Sequence, residues 1–305
     1  MLERVVILDG GLATQLEAAG HDLSTDLWSA RLLRDEPGAI LAAHRTFVDA
    51  GAEVVTTASY QASFEGFAAA GIEAGEAARL MRRSVELARA ASDADGPRWV
   101  AASIGPYGAV LADGQEYTGE YVAADWSGRS SGGLTVAELR EFHVRRMSVL
   151  AEAGPDVFAV ETIPALAEVE AILSALDEVG LPAWVSLTTV VDADGRPRTR
   201  RGECAVRAFA MAADCEAVIA VGANCMAPVG AYVIVEAGQA VDMPVVLYPN
   251  SAEAWDGAAR RWTGSSQHAW DTQQWVAGGT RLLGGCCRIG PADIARLVNL
   301  HTRLD

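Results

Sequence analysis

Short β-branched apolar runs recur along the chain, each followed by a stretch whose apolar residues return at helical spacing. Strands are predicted at 4–9 (RVVILD), 53–59 (EVVTTAS), 98–105 (RWVAASIG), 156–162 (DVFAVET), 183–189 (AWVSLTT), 217–224 (AVIAVGAN), 244–249 (PVVLYP) and 280–285 (TRLLGG). Most are continuously apolar rather than alternating, the pattern of strands covered on both faces. Helices are predicted over 36–50, 73–91, 135–153, 164–179, 203–213, 227–240, 268–278 and 291–303. Pro37, Pro164 and Pro291 stand near helix starts, where a missing N–H is tolerated, and Gly51, Gly154, Gly180 and Gly278 stand where a helix should stop. Eight strand–helix units without a composition break predict an α/β protein, a single (β/α)8 TIM-type barrel spanning 1–305. Two long irregular stretches, 106–134 and 250–267, follow strands and are expected over the active face as loops or lids. The Gly/Ser-rich SGRSSGG inside the first is a candidate for disorder.

Composition then narrows the partners. Half of the 305 residues are apolar, enough for a large core. A formal net charge of −16 excludes the basic stripe of a nucleic-acid groove and disfavours an anionic membrane surface. The first residues, MLERVVILDG, run straight into a strand without the features of a signal peptide, and no apolar run approaches the roughly 18 residues of a membrane span. A cytoplasmic protein is expected. Five cysteines, an odd number, argue against a disulfide framework and leave thiols free to pack, bind metal or react.

Barrel enzymes place their chemistry at the C-terminal ends of the strands. There the chain carries Asp9-Gly10-Gly11, Glu161-Thr162, Asn224-Cys225, Tyr248-Pro249-Asn250 and Cys286-Cys287. Vicinal cysteines do not readily pair with each other, because the ring is strained. At a strand end both sulfurs can turn to one point, and Cys225 from the sixth strand can complete a three-sulfur site. Thiolates in tetrahedral array favour Zn2+, and three protein ligands leave the open position of a catalytic site. The plainer reading of any one cysteine is a small packing residue, and that reading is taken for Cys204 and Cys215, on or beside the fifth helix. Asp9 either stabilises its turn or meets a ligand. Glu161 ends an apolar strand, where its charge needs a ligand ammonium or a neighbouring Arg. DGG and GGCC match no nucleotide fingerprint, and the five histidines form no H-x-H or H-E-x-x-H pattern, so a zinc hydrolase of the histidine type is not expected.

Eight segments together resemble the homocysteine S-methyltransferase family. They are LDGGLATQLEAAG (8–20), DLWSARLL (26–33), TTASYQASFEGF (56–67), SIGPYGAVLADGQEY (103–117), AVETIP (159–164), GANC (222–225), YPNSAE (248–253) and GGCCRIGPADI (284–294). They are more similar to the branch using S-methylmethionine or S-adenosylmethionine than to the betaine or folate branches. The resemblance implies an enzyme with Cys225, Cys286 and Cys287 as zinc ligands. It implies Asp9 and Glu161 at the homocysteine amino group, backbone amides around Gly10 and Gly11 at its carboxylate, and Asn224 and Asn250 in support. The zinc would hold the homocysteine thiol as a thiolate, which takes a methyl group from a sulfonium donor and releases a neutral thioether. Such a donor is cationic at sulfur, so Trp28, Tyr60, Tyr107 and Tyr117 are candidates to face it, each with packing as its plainer role. Two departures stand out: YVAADWSGRSSGGL (121–134) is longer than this branch usually carries, and Pro155 occupies a position where a smaller residue is common. A selenocysteine-like acceptor, and a zinc- or thiol-binding protein without turnover, are the alternatives.

Overall fold

The apolar runs pair side by side in the computed structural model, which describes residues 2–23, 28–92, 98–256, 261–266 and 270–301. The strands are β1 (Val6–Ile7), β2 (Val54–Thr56), β3 (Trp99–Ile104), β4 (Val157–Ile163), β5 (Ala183–Leu187), β6 (Val218–Asn224), β7 (Val245–Tyr248) and β8 (Thr280–Leu283). All pairings among them are parallel, in the order β1-β8-β7-β6-β5-β4-β3-β2. A bridge between Leu8 and Val54 then joins the first strand to the last in that order and brings the ring to closure. The predicted barrel is the observed fold.

Continuous hydrophobicity follows from two cores. Val6, Leu8, Val54, Ala101, Val157, Ala159, Trp184, Ala220, Val246 and Leu282 fill the barrel interior. The alternate residues, among them Ile7, Val55, Ala102, Phe158, Val160, Val185 and Val221, pack outward against the helices. Side chains alternate along a strand, so the next inward positions toward the C-terminal ends are Thr56, Ser103, Glu161, Ser186, Asn224 and Tyr248. Apolar filling therefore gives way to a polar layer one step below the rim. Gly222 opposes Val246 across β6 and β7, and a Cβ there would fall 1.8 Å from the Val246 carbonyl oxygen, so the two strands approach only because the position is glycine.

The eight predicted crossovers form at Pro37–Asp49, Ala74–Ser92, Val136–Glu152, Leu166–Val179, Ala205–Ala213, Ala231–Gln239, Thr272–Ala277 and Pro291–His301. Thr135 and Glu138 make a reciprocal capping box at the start of Val136–Glu152. Four helices were not foreseen: Leu12–Ala18, Trp28–Asp35, Phe64–Ala69 and Tyr107–Leu111. Two hairpins are also added, Thr189–Val191 with Pro197–Thr199 and Ala254–Asp256 with Arg261–Thr263. The second falls in the stretch read as irregular at 250–267, of which residues 257–260 and 267 lie outside the described residues.

The 106–134 segment is more ordered than its composition suggests. It folds into the helix Tyr107–Leu111 and two single turns, Gln115–Tyr117 and Glu120–Val122. SGRSSGG is not loose: the Arg129 guanidinium donates to the Gly132 and Gly133 carbonyls at 2.7 Å each and pairs with Glu138 at 2.5 Å. Composition counts the glycines and misses that one planar fork of donors. Deeper down, the buried Glu168 carboxylate accepts from the Tyr107 amide (2.7 Å), His143 Nε2 (2.9 Å) and the Tyr121 hydroxyl, fastening the start and the middle of the segment to the barrel wall. No helix among the described residues is long and apolar enough to cross a membrane.

Candidate metal centre

Three thiols meet at the rim. Cys225 follows β6 directly, while Cys286 and Cys287 lie three and four residues beyond β8. Their sulfurs all lie within 4.8 Å of one another, with Cys225 to Cys287 at 3.7 Å and Cys286 to Cys287 at 4.0 Å. Tetrahedral zinc with bonds of about 2.3 Å needs sulfurs roughly 3.8 Å apart, so the spacing and the donor type both fit that ion. No cysteine is in a disulfide. Interaction with the Cys286 and Cys287 thiols holds Cys225 well below the ordinary thiol range; Cys286 and Cys287 are pushed up in return.

The backbone bends to bring the sulfurs in. Cys225 has φ +46° and Arg288, just after the pair, has φ +67°. Left-handed backbone at non-glycine residues costs roughly 1–2 kcal/mol each and persists where surrounding contacts enforce it. Here they do: Cys225 N donates to Tyr248 O (3.4 Å), Cys286 N to Pro249 O (2.9 Å) and Ser251 N to Cys287 O (3.3 Å). The end of β7 is thus bonded on both sides by the segments that carry the thiols. Gly11 packs from below, where a Cβ would fall 2.7 Å from the Cys286 carbonyl oxygen.

A cavity of about 130 Å³ opens beside the sulfurs, lined by Asp9, Glu116, Glu161, Tyr60, Tyr117 and Asn224 as well as the three cysteines. Asp9 accepts from the Thr56 amide (2.7 Å) and the Thr56 hydroxyl (2.8 Å). Burial pushes its carboxyl up to about 7, and the Thr56 bonds offset part of that rise. Glu161 accepts from the Ser103 hydroxyl, and burial pushes it up to about 7 as well. Among the described residues neither carboxylate is in an ion pair; the buried Arg146 guanidinium feels the Glu161 charge without contacting it and donates instead to the Tyr60 carbonyl at 3.1 Å. Asn224 spans the polar layer, accepting from the Thr162 amide (2.7 Å) and Ser186 Oγ (2.9 Å) and donating to Thr162 Oγ1 (2.7 Å).

Several expectations change. Tyr107 is not in the cavity: its ring stands 5.6 Å from Tyr121 and 5.1 Å from Phe142, within the cluster that anchors the 106–134 segment. Its position after β3 suggested the mouth, but the turn of Tyr107–Leu111 carries it outward. Tyr60 and Tyr117 do line the cavity, and the Tyr117 hydroxyl helps to hold the Cys225 thiol low. Trp28 opens the helix Trp28–Asp35, with its side chain outside the described residues. Asn250 is buried nearby without lining the cavity. The Gly11 amide is engaged by the Ile289 carbonyl at 2.9 Å. Cys204, expected to pack, is exposed at the cap of Ala205–Ala213, whereas Cys215 packs partly against the core. Sequence reading missed Glu116, a buried carboxylate from the Gln115–Tyr117 turn, and gave no role to the hydroxyls of Thr56, Ser103 and Tyr248. Period-two counting from Val54, Ala101 and Val246 points to the last three.

The family model for homocysteine S-methyltransferase matches residues 6–300. Homocysteine S-methyltransferase 4 of Zea mays is 40% identical, over 94% of this chain and 86% of the relative. A selenocysteine Se-methyltransferase of Brassica oleracea var. italica is 37% identical, over 98% of this chain and 88% of its own length. The metallated form of the homocysteine methyltransferase MmuM from Escherichia coli superposes with a TM-score of 0.83 at 36% identity, covering 98% of this chain and 96% of that one. A closed α/β ring, a three-thiol rim and matches spanning nearly the whole polypeptide lead to one conclusion: this chain belongs to the homocysteine S-methyltransferase family, whose members are methyltransferases.

Proposed function

We propose that the protein methylates homocysteine to methionine with a sulfonium donor, S-methylmethionine or S-adenosylmethionine, and that Cys225, Cys286 and Cys287 hold a zinc ion for this reaction. The observation that carries the reading is the convergence of three unpaired thiols from two strand ends on one point of a small acidic cavity. When bound there, zinc supplies a Lewis-acidic position at which a thiol gives up its proton near neutral pH.

The protein's own groups align the acceptor. Asp9 and Glu161, buried and in no ion pair among the described residues, receive its α-ammonium, and a bound ammonium favours their ionised forms. Its carboxylate lies against the backbone at Gly10 and the uncapped start of Leu12–Ala18, because the Gly11 amide is taken. Asn224 keeps the ends of β4 and β6 in register beneath the substrate. Tyr60 and Tyr117 offer aromatic faces to the sulfonium. The acceptor sulfur forms a bond to the methyl carbon as the donor's carbon–sulfur bond breaks. The broken bond's electron pair stays on the donor, which leaves as a neutral thioether, and the acceptor's proton ends in solvent. No general acid is needed; catalysis is activation and alignment.

Zinc-loaded protein should convert homocysteine to methionine with at least one of the two sulfonium donors, and failure with both would overturn the reading. The likeness to a selenocysteine Se-methyltransferase favours a second acceptor, and the same assay with selenocysteine ranks the two. Cys286→Ser should lose most of its zinc and nearly all activity while keeping its far-UV circular dichroism. Full zinc occupancy in that variant would remove Cys286 from the ligand set.

A further inference from the structure

Three carboxylates line the cavity, and they are not alike. Asp9 and Glu161 are neighbours whose charges act on each other, and each is held by hydroxyls of the barrel's polar layer. Glu116 reaches in from the overlying Gln115–Tyr117 turn, with only 2% of its surface exposed. Its Oε2 has no hydrogen-bond partner, and among the described residues it is in no ion pair. Its charge acts on Tyr60, Tyr117, Cys225 and Cys287, on the thiol side of the cavity, and on Asp113 of its own loop. Burial pushes its carboxyl up to about 7.

A buried carboxylate with an unpartnered oxygen is unfavourable by itself, and a ligand cation relieves it. The reaction proposed above brings two kinds of cation. An ammonium donates hydrogen bonds and suits the Asp9–Glu161 pair. A sulfonium centre carries a permanent charge, has no proton to donate and cannot shed its charge by titration. Its site therefore needs negative charge and aromatic faces, not a set of oriented acceptors. Glu116, lining the same cavity as Tyr60 and Tyr117, meets that description.

We infer that Glu116 is the counter-charge for the sulfonium centre of the methyl donor and sets the preference for a sulfonium over a neutral thioether. The inference rests on the sulfonium-transfer reading. Because methyl transfer turns the donor sulfur neutral, the same residue would hold the donor and let the product go.

Calorimetric titration of the full-length protein with S-methylmethionine and with methionine tests this, since the two share ammonium and carboxylate and differ in sulfur charge. The parent should favour the sulfonium by about tenfold or more, the scale of one buried charge-assisted contact. Glu116→Gln should bring that ratio close to parity, and Glu116→Asp should restore part of it, with homocysteine binding unchanged in both as a check on folding. In turnover, Glu116→Gln should raise the donor KM with little change in kcat, the signature of lost ground-state binding. A retained preference in Glu116→Gln overturns the inference, and so does equal weakening of both ligands, which would assign Glu116 to the ammonium. Absence of any preference in the parent overturns the sulfonium reading together with it.

Discussion

Asp9 shows how a single site residue works against the stability of the fold that holds it. Its carboxyl is raised from 3.8 to about 7 by burial. Between those two pH values the folded protein keeps a proton that the unfolded chain has released. Stability of the ligand-free protein therefore falls as pH rises through that interval, and the loss is complete above about 7. Asn at this position accepts from the Thr56 amide and donates to the Thr56 hydroxyl, so it keeps the contacts without the charge. Asp9→Asn should be more stable than the parent near pH 8, by up to roughly 4 kcal/mol, and equal to it below about pH 4. Denaturant titrations at the two pH values check this; equal stability near pH 8 would contradict it. Homocysteine affinity should fall in the same variant. Glu161→Gln should also weaken homocysteine binding, and an unchanged homocysteine dependence would count against its role.

At the scale of elements, one carboxylate ties the first half of the 106–134 segment to the barrel wall. Glu168, on Leu166–Val179, takes three donors from the segment and from Val136–Glu152. Glu168→Gln presents an amide N–H2 to some of those donors and should cost about 1–3 kcal/mol. The loss should appear as faster amide exchange in 106–134 and a higher donor KM, with homocysteine binding nearly intact. Exchange unchanged in that segment would show that other contacts hold it. These two elements also mark how far the sequence could be read. Strand ends, crossovers and the cysteine trio follow from local pattern, because period, turn residues and rare thiols are visible in a short window. Glu116 and Tyr107 do not: both lie in a stretch without periodicity, and which of them turns inward depends on Glu168 and Arg129, contacts made after the segment folds back. Cys204 fails similarly, since proximity to a helix does not say which side of its cap faces solvent.

For the molecule as a whole, the ring closes through strand pairing and two apolar cores, with the thiols added at its edge. Stripping the metal with a chelator should therefore lower the melting temperature while leaving the far-UV spectrum in place, unlike a small domain that folds only around its ion. Collapse of the spectrum on chelation would show that the centre is part of the framework. The placement of the thiols on either side of β7 also bears on biogenesis. Neither the β6 end nor the vicinal pair alone presents the full trio, so capture of the ion has to wait until β8 has docked beside β7. On the zinc reading proposed above, metal uptake during synthesis is then a late event that follows completed assembly, since a nascent chain still lacking β8 does not present the trio.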